Sequence, residues 1–355
     1  MPNVIAIFSG NSRQLGACEI YRASLPLHFL GQSNKWQTAW TWFDELRDKG
    51  GEALYNLIQA YDVFVFPRMQ VKGEDGLFWT QDFFETIRGM GKKVVYEVDD
   101  DYTNKYRHVT DAHSVKVAGL ADAITVTTPY LKKLMESETG RPAHVLPNCV
   151  APDQWFSGKG NVRKPEYKDK IVIGLTGSPT HEKDWKVLET VIPKIVSEYN
   201  NVLFVNMGYT PDYLTGLPNT KYLPALDYSL YCQIIRGCDI ILAPVDPTDG
   251  FNLGKSPIKA VEGMAATREV ERRNAGAAVI ATKNPIYSLA VQHGKSGLLV
   301  DHTPDEWEHA IRELIEDSSK RKLLQFQGNH YARKAYDISK EWTRWDRVYR
   351  TILES

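Results

Sequence analysis

Short apolar runs alternate along the first half of the chain with segments of helical periodicity. The runs predict buried strands at 4–8, 62–66, 93–98, 122–127 and 144–146. Amphipathic segments predict helices over 17–30, 77–90 and 129–138. Strands that alternate with helices are typical of a parallel sheet, in which ligands bind at the carboxyl ends of the strands.

The second half repeats this alternation after a polar stretch. Its apolar runs predict strands at 170–175, 202–206, 239–244 and 276–281. The preceding stretch, 151–170, is rich in Gly, Lys and Pro and predicts an interdomain linker. From 304 onward the pattern is helical, and Trp342, Trp345 and Tyr349 have the spacing of a packed helix face. A length of 355 residues suits two domains of ordinary size.

The polar loop and the segment that follows it, 246–265, contain several candidate functional residues. Ser256 followed by Pro257 predicts a helix N-cap with proline in the first helical position. Such a terminus offers backbone N–H groups and a positive dipole end to an anion. Lys255, Lys259 and Glu262 share the first turns, where the cations suit a diphosphate and the carboxylate suits sugar hydroxyls. The alternative is an ordinary capped helix with a solvated charged face.

Three successive carboxylates, Asp99, Asp100 and Asp101, follow the predicted strand 93–98, and Arg68 follows the strand before it. Three interpretations compete: a divalent-metal site, an acceptor-binding or proton-relay role, and a structural cap for the next loop. Carboxylates concentrated at the mouth of a parallel sheet favour a functional role, and we favour the second interpretation for Asp100.

Composition restricts the class of protein. The net charge is −1, so no global field indicates a nucleic-acid or membrane partner. The four cysteines are scattered without metal-binding spacing, and no segment approaches the roughly 20 apolar residues of a membrane span. We therefore expect a reduced, cytoplasmic, soluble enzyme.

The pattern Phe251-Asn252, Lys255-Ser256, Lys259 and Glu262 resembles the nucleotide-sugar half of GT-B glycosyltransferases, together with the loop at 171–184 and the run at 297–300. It is most similar to retaining family four, in the branch with a Lys-x-x-Glu motif. The resemblance implies two Rossmann-like domains of the α/β class that face each other across a cleft. It assigns an acceptor-side domain to 1–150, a linker to 151–170, a nucleotide-sugar domain to 171–335 and a helix returning to the first domain to 336–355.

The resemblance also implies a donor, a UDP- or GDP-sugar, with no metal required. Its candidate donor-binding residues are Gly10, Gly16, Gly177, Ser178, His181, Lys183, Asn252, Lys255, Ser256, Lys259 and Glu262. Its candidate catalytic residues are Asp99, Asp100, Lys183 and Lys255. Glu262 would accept hydrogen bonds from ribose hydroxyls, while Lys183 and Lys255 would stabilise the leaving diphosphate.

Two departures from the family pattern affect this assignment. Gly254 stands where the first glutamate of a Glu-x7-Glu pattern would be, which leaves the donor sugar open. Ser178 stands where many relatives have an arginine, so that phosphate neutralisation falls more heavily on the lysines.

The resemblance predicts sugar transfer to an acceptor hydroxyl with retention of configuration, and a saccharide or glycolipid acceptor. One alternative acceptor is 5-hydroxymethylpyrimidine in DNA, as in viral enzymes of this type. Another alternative is a nucleotide-sugar-binding protein without transferase activity. The sequence leaves the oligomeric state open.

Overall fold

A computed structural model describes residues 1–9, 15–68, 74–101, 103, 109–157 and 167–355, without the side chains of 74–79 and 109–114. The chain divides into two compact units. The first unit comprises Met1–Cys149, Leu253–Ser256 and Ile338–Ser355. The second comprises Val150–Asn252 and Pro257–Asp337.

The first unit contains a six-stranded parallel sheet. Its strands are β1 (Asn3–Phe8), β2 (Gln37–Trp42), β3 (Val63–Pro67), β4 (Lys93–Val98), β5 (Ala123–Val126) and β6 (Ala143–Val145). Their order is β2-β1-β3-β4-β5-β6, and each neighbouring pair is parallel. The sequence analysis missed β2, because this edge strand is mostly part-exposed and lacks an apolar run.

Helices cover both faces of this sheet. They are α1 (Ala17–Glu19), α2 (Leu25–Gln32), α3 (Phe43–Lys49), α4 (Gly51–Ala60), α5 (Glu74–Gly89), α6 (Val109–Leu120) and α7 (Pro129–Thr139). A π-helical segment, Ile20–Ser24, joins α1 to α2. The predicted helix at 17–30 is therefore correct in place but contains an unforeseen π-helical turn, and that turn buries Arg22.

The second unit begins with α8 (Pro152–Trp155), whose Trp155 is fully buried. Val150 pairs with Asp337, and the Trp155 carbonyl accepts a hydrogen bond from the Thr267 N–H. The first part of the predicted linker at 151–170 is thus packed structure, because its apolar side chains enter a core. Residues 158–166 lie outside the described residues.

The second sheet also has six parallel strands. They are β7 (Ile171–Gly177), β8 (Val202–Gly208), β9 (Thr220–Leu223), β10 (Ile240–Ala243), β13 (Ala278–Thr282) and β14 (Leu298–Val300). Their order is β14-β13-β10-β7-β8-β9. A separate antiparallel hairpin is formed by β11 (Arg268–Val270) and β12 (Arg273–Ala275).

From its sequence, the charged segment 267–274 could extend the preceding helix or form a lid; the structure shows a hairpin instead of a helix extension. Glu271 and Arg272 form its tip, with φ values of 50° and 61°. Two successive residues with positive φ are typical of the tight turn that suits the twist of a two-residue hairpin loop.

Helices pack around the second sheet. They are α9 (Glu182–Trp185), α10 (Val191–Glu198), α11 (Tyr228–Arg236), α12 (Ile258–Ala265), α13 (Pro304–Glu316) and α14 (Ser318–Ala335). Short 3-10 turns lie at Pro179–His181, Lys186–Leu188, Asp212–Leu214, Gly250–Gly254 and Tyr287–Leu289.

The C-terminal segment contains α15 (Ile338–Glu341) and α16 (Thr343–Glu354) and belongs to the first unit. Trp345 and Tyr349 are buried in the same cluster as β1, and Trp36 Nε1 donates to Asp346 at 2.7 Å. Among the described residues, every helix is too short or too polar to cross a membrane.

Candidate active site

The second sheet changes its winding direction at β7. The chain moves from β7 to β8 and β9 on one side and then returns to β10 on the other. The loops that leave β7 and β10 therefore diverge, and such a divergence opens a crevice at the carboxyl ends of the strands. Most of the described candidate residues of the second unit lie on these two loops or on α12.

The end of β7 is closely packed. Gly208 has a φ of 95°, and a Cβ atom there would lie 2.3 Å from the Gly177 carbonyl oxygen. A Cβ atom at Gly177 would lie 2.9 Å from Lys259 Nζ and 2.8 Å from the His181 ring. Only glycine at 177 allows both side chains to approach the strand end in this way.

Lys259 points back to the end of β7. Its Nζ donates to the Thr176 carbonyl at 2.8 Å and lies 3.0 Å from His181 Nε2. The other ring nitrogen of His181, Nδ1, lies 2.7 Å from Asp184 Oδ2. Asp184, His181 and Lys259 therefore form one hydrogen-bonded chain that ends in a cation.

Asp184 has the sequence context of a helix cap, but its side chain makes other contacts. Its Oδ1 accepts hydrogen bonds from the Asp246 N–H at 2.8 Å and from Asn252 Nδ2 at 2.6 Å. No continuous helix runs to Glu198, because α9 ends at Trp185 and a 3-10 turn precedes α10. The buried Asp184 instead joins the loop after β7 to the loop after β10.

Asn252 is buried and helps to fix the same loops. Besides Asp184, its Nδ2 donates to the Asp246 carbonyl at 2.9 Å. Its side chain therefore holds the 246–252 turn in shape. Its amide nitrogen thus joins this turn to the loop after β7.

Helix α12 begins one residue later than predicted. Pro257 is the N-cap, and its carbonyl accepts hydrogen bonds from the N–H groups of Ala260 and Val261. The predicted Ser256 cap is wrong, because Ser256 Oγ instead accepts from Asn148 Nδ2 at 2.9 Å. Lys255 and Ser256 belong to the Leu253–Ser256 segment of the first unit.

Glu262 is almost fully buried and is paired with a residue that the sequence analysis missed. Tyr231 donates its hydroxyl hydrogen to Glu262 Oε2 at 2.6 Å. Burial raises the pKa of Tyr231 well above its usual value, and the nearby Glu262 carboxylate raises it further. Tyr231 therefore stays a protonated donor and fixes the carboxylate. Its position on the buried face of α11 was the only available signal.

Lys183 and Ser178 are exposed on the loop after β7. Ser178 Oγ lies 2.8 Å from Thr180 Oγ1, and Lys183 lies on α9. Both side chains are at the surface of the loop whose interior is formed by His181 and Asp184.

Opposite charges meet at the strand ends of the first unit. Arg68, directly after β3, has a φ of 45° and binds two of the three predicted carboxylates. Its Nε lies 3.2 Å from Asp99 Oδ1 and its Nη2 lies 3.4 Å from Asp100 Oδ2. Arg68 Nη1 also donates to Cys18 Sγ at 2.6 Å. Burial and the negative charge of Asp99 raise the pKa of the Cys18 thiol well above its usual value.

Asp101 has separate partners. Its Oδ1 accepts from the Thr103 N–H at 2.9 Å, and its Oδ2 accepts from the Tyr130 hydroxyl at 3.2 Å. This agrees with the structural interpretation for Asp101. No group of three or more His, Cys, Asp or Glu residues with metal-binding geometry occurs in the part of the chain that the structure describes.

A buried ion pair lies beneath this cluster. Arg22 Nε donates to Glu97 Oε1 at 2.7 Å, and Arg22 Nη1 donates to Asn148 Oδ1 at 2.8 Å and to the Leu146 carbonyl. Burial raises the pKa of Glu97 to about 7, although Arg22 and Thr125 act in the opposite direction. Both side chains of the pair are essentially inaccessible to solvent.

The remaining glycine predictions have different outcomes. Gly16 has a φ of −77°, which any residue adopts, so its conformation does not require glycine. Gly10 and Arg13 lie outside the described residues. Gly254 packs against the first unit so closely that a Cβ atom would lie 2.5 Å from the Asp101 nitrogen. The glutamate of the family pattern therefore has no space at this position.

Comparisons with known proteins agree with this architecture. Residues 170–317 match the family model of glycosyl transferases group 1. The structure of HepE from Anabaena in complex with UDP and glucose has a TM-score of 0.68 and 15% identity, with 98% of this chain and 99% of HepE covered. Sucrose-phosphate synthase from Thermosynechococcus elongatus has a TM-score of 0.67 and 12% identity, with 99% of each chain covered.

The fold is therefore GT-B, with two Rossmann-like units, and residues 170–317 are similar to a group 1 glycosyltransferase domain. The resemblance recognised in the sequence is confirmed at this level. A curated relative, D-inositol 3-phosphate glycosyltransferase from Corynebacterium jeikeium, is 35% identical over 74 residues. That match spans 20% of this chain and 18% of the relative.

Proposed function

We propose that the protein transfers a sugar from a nucleotide diphosphate sugar to an acceptor hydroxyl. The observation that carries this proposal is that Lys259 reaches the end of β7 beside Gly177, while Glu262, one turn further along α12, is held by Tyr231. A glycine without space for a side chain, a cation and a fixed carboxylate meet the needs of a phosphate group and a ribose. The UDP-glucose complex of HepE, which has the same fold, supports a UDP-sugar as the donor.

The charges suit a mechanism based on stabilisation of the leaving group. As the bond to the sugar breaks, negative charge develops on the diphosphate, and Lys259 and the first N–H groups of α12 would bind it. Lys183 and Lys255 would add further positive charge. In this proposal Glu262, held by Tyr231, accepts hydrogen bonds from the ribose hydroxyls. Transfer with retention and without a required metal is part of the same proposal.

On the first unit, Asp100 and Asp99 are the proposed acceptor-side groups. Arg68 binds both carboxylates, which keeps them together at the strand ends. An oriented carboxylate is suited to accept a hydrogen bond from an incoming hydroxyl group or to take its proton. We propose a saccharide or glycolipid as the source of that hydroxyl.

The donor half is tested by thermal unfolding with UDP, GDP and their sugars. A ligand at about 100 times its Kd stabilises the native state by about 2.7 kcal/mol. We expect one donor to raise the Tm of the wild type. Lys259→Ala, Lys255→Ala and Glu262→Gln should reduce that shift, whereas Lys283→Ala, a change at an exposed ion pair, should not. If the wild type is folded and no nucleotide shifts its Tm, the proposed donor site is wrong.

The acceptor half needs a transfer assay with the donor found in this way. Glycans, glycolipids and DNA containing 5-hydroxymethylpyrimidine are offered in parallel, and donor hydrolysis is recorded without acceptor. Transfer to a glycan or glycolipid supports the proposal. Transfer to DNA alone would show that DNA, and not a saccharide or glycolipid, is the acceptor. Donor binding without transfer or hydrolysis would indicate a binding protein.

A further inference from the structure

We infer that His181 is a positioning residue that orients Lys259 toward the donor diphosphate, and that Asp184 fixes the histidine tautomer required for this. The inference rests on the proposed function, which it deepens. It also replaces the simpler idea, drawn from the sequence, that His181 itself contacts the donor.

The hydrogen-bond chemistry determines the tautomer. An ionised carboxylate only accepts, so His181 Nδ1, at 2.7 Å from Asp184, must carry a hydrogen. A lysine ammonium only donates, so His181 Nε2, at 3.0 Å from Lys259 Nζ, must accept. Only the neutral ring with its hydrogen on Nδ1 satisfies both contacts, and the partner at one nitrogen therefore sets the role of the other.

Packing holds the ring in this orientation. The His181 ring is nearly parallel to the Trp185 ring, with an interplanar angle of 9° and centroids 6.2 Å apart. Gly177 leaves the space that the ring edge and Lys259 Nζ occupy. Asp184 is itself fixed by Asp246 and Asn252, so the chain of contacts begins at a rigid anchor.

This arrangement fixes the head group of a flexible lysine side chain before a ligand binds. A free lysine side chain has about 2 kcal/mol of rotamer entropy to lose when its head group is fixed. The Thr176 carbonyl and His181 Nε2 both contact the ammonium group. They fix its position at the end of β7 before the donor binds, so that part of this entropic cost is already met on folding.

Protonation of His181 would break the arrangement. The second ring hydrogen would occupy Nε2, which removes the acceptor for Lys259 and places two positive charges about 3 Å apart. Among the described residues, the charged and titratable groups near the ring include Asp184 and Glu182 on the adjoining α9, Lys259 on α12, and Tyr209 after β8, whose hydroxyl donates to Glu182. Beyond Asp184 lie Asp246, Tyr287 and His302.

The test compares two amide variants that each keep one contact. In His181→Gln, the amide oxygen reaches the position of Nε2 and accepts from Lys259. In His181→Asn, the shorter amide reaches Asp184 but not Lys259. We expect His181→Asn and His181→Ala to weaken UDP binding roughly tenfold in calorimetry, equivalent to about 1.4 kcal/mol, and His181→Gln to stay within about threefold of wild type. Uridine binding should be unchanged, and His330→Gln, at an exposed histidine, is the matched control.

The pH dependence of UDP binding separates positioning from direct contact. If His181 orients Lys259, the ratio of wild-type to His181→Gln affinity falls as His181 becomes protonated. A histidine that contacts the diphosphate would gain a favourable charge, and the ratio would rise. Comparing the two proteins at each pH cancels the titration of UDP itself, whose phosphate has a pKa of about 6.

Each result bears on the inference. Equal UDP affinity of wild type and His181→Ala, or a ratio that rises at low pH, overturns it. Proton–nitrogen NMR of the free protein provides a test without a ligand, because it reports whether Nδ1 carries the hydrogen. The other tautomer would overturn the inference even if UDP binds. The expected tautomer in a folded protein that binds no nucleotide would overturn the proposed function and leave His181 oriented toward Lys259 for another purpose.

Discussion

The strand ends of the two units carry charges of opposite sign: carboxylates in the first unit and a lysine in the second. The two units also differ in where the oppositely charged partner lies. In the first unit, carboxylates stand at the end of β4, and the arginines Arg68 and Arg22 lie beside and beneath them. In the second unit a cation, Lys259, stands at the end of β7, and the carboxylate Asp184 is buried behind it. In the first unit the partly exposed Arg68 contacts the strand-end carboxylates directly, whereas in the second unit the buried Asp184 reaches Lys259 only through His181.

The buried pair of the first unit offers the largest expected effect. Arg22→Met removes the donor for Glu97, the Leu146 carbonyl and Asn148 and leaves them buried. Breaking one side of a buried ion pair costs about 3–5 kcal/mol. We expect a loss of this size in the free energy of unfolding, measured with urea. Arg88→Met, at a half-exposed pair with Asp122, should cost less than about 1 kcal/mol.

The same variant has a predicted pH dependence. The folded-state pKa of Glu97 already lies near 7, above its usual value, so the folded chain keeps a proton that the unfolded chain loses. Stability from this group therefore falls as pH rises above the usual carboxyl range. Without Arg22 the pKa rises further, and we expect the deficit of Arg22→Met to be larger at pH 8 than at pH 5. A deficit independent of pH would contradict this reasoning.

In the second unit, the variant Gly177→Ala tests whether the end of β7 binds the donor. The added methyl group would lie within 3 Å of Lys259 Nζ and of the rings of His181 and Trp185, so that these side chains must shift. We expect a stability cost of about 1–3 kcal/mol and at least a tenfold loss of donor affinity in calorimetry. Gly89→Ala, where the structure leaves open space, is the control. Unchanged donor affinity in a folded Gly177→Ala protein would show that this strand end does not bind the donor.

Arg68→Gln tests whether the first unit's carboxylates act in turnover. Without the guanidinium, Asp99 and Asp100 lose their shared partner, and the two like charges can move apart. We expect kcat to fall roughly tenfold, or about 1.4 kcal/mol, with the donor Kd within about twofold of wild type. Arg47→Gln, at an exposed pair, should leave both constants unchanged. A change in donor Kd alone would assign Arg68 to donor binding.

The smallest expected effect comes from Tyr231→Phe. This variant removes one hydrogen bond to Glu262 without changing the packing of the ring. A loss of about 0.5–1.5 kcal/mol, or a few-fold in donor affinity, is expected. Tyr228→Phe is the matched control on the same helix, because its hydroxyl accepts from Trp155 Nε1. Equal affinities of the two variants would argue against a role for Tyr231 in holding Glu262.

The parallel α/β fold was predictable from the sequence because buried strands leave continuous apolar runs. The resemblance to GT-B glycosyltransferases rested instead on the residues at 251–262. The exceptions are physically instructive. Strand β2 lies at a sheet edge and needs no such run. The hairpin at β11 and β12 is short and charged, so its sequence resembles a helix extension. The candidate donor and catalytic residues remain predictions, although several of those described lie close together.

Side-chain partners were much less predictable than strands. Asp184 and Ser256 both have the sequence context of helix caps, yet each bonds to a residue distant in sequence. Asp184 accepts from Asn252, and Ser256 accepts from Asn148. Local preference for a cap is worth only about 1 kcal/mol, so tertiary hydrogen bonds of similar strength can override it.

The sequence alone determined the elements, their order and the residue types at the strand ends, because burial imposes a periodic pattern on every strand and helix. The tertiary structure decided which of those residues meet. Lys259 and His181 are 78 positions apart, and Arg22 and Glu97 are 75 apart. Such contacts depend on how loops converge at the end of a sheet and on the space left by residues such as Gly177. Local sequence patterns do not predict these contacts, because the residues come together only when the strands are aligned in the sheet.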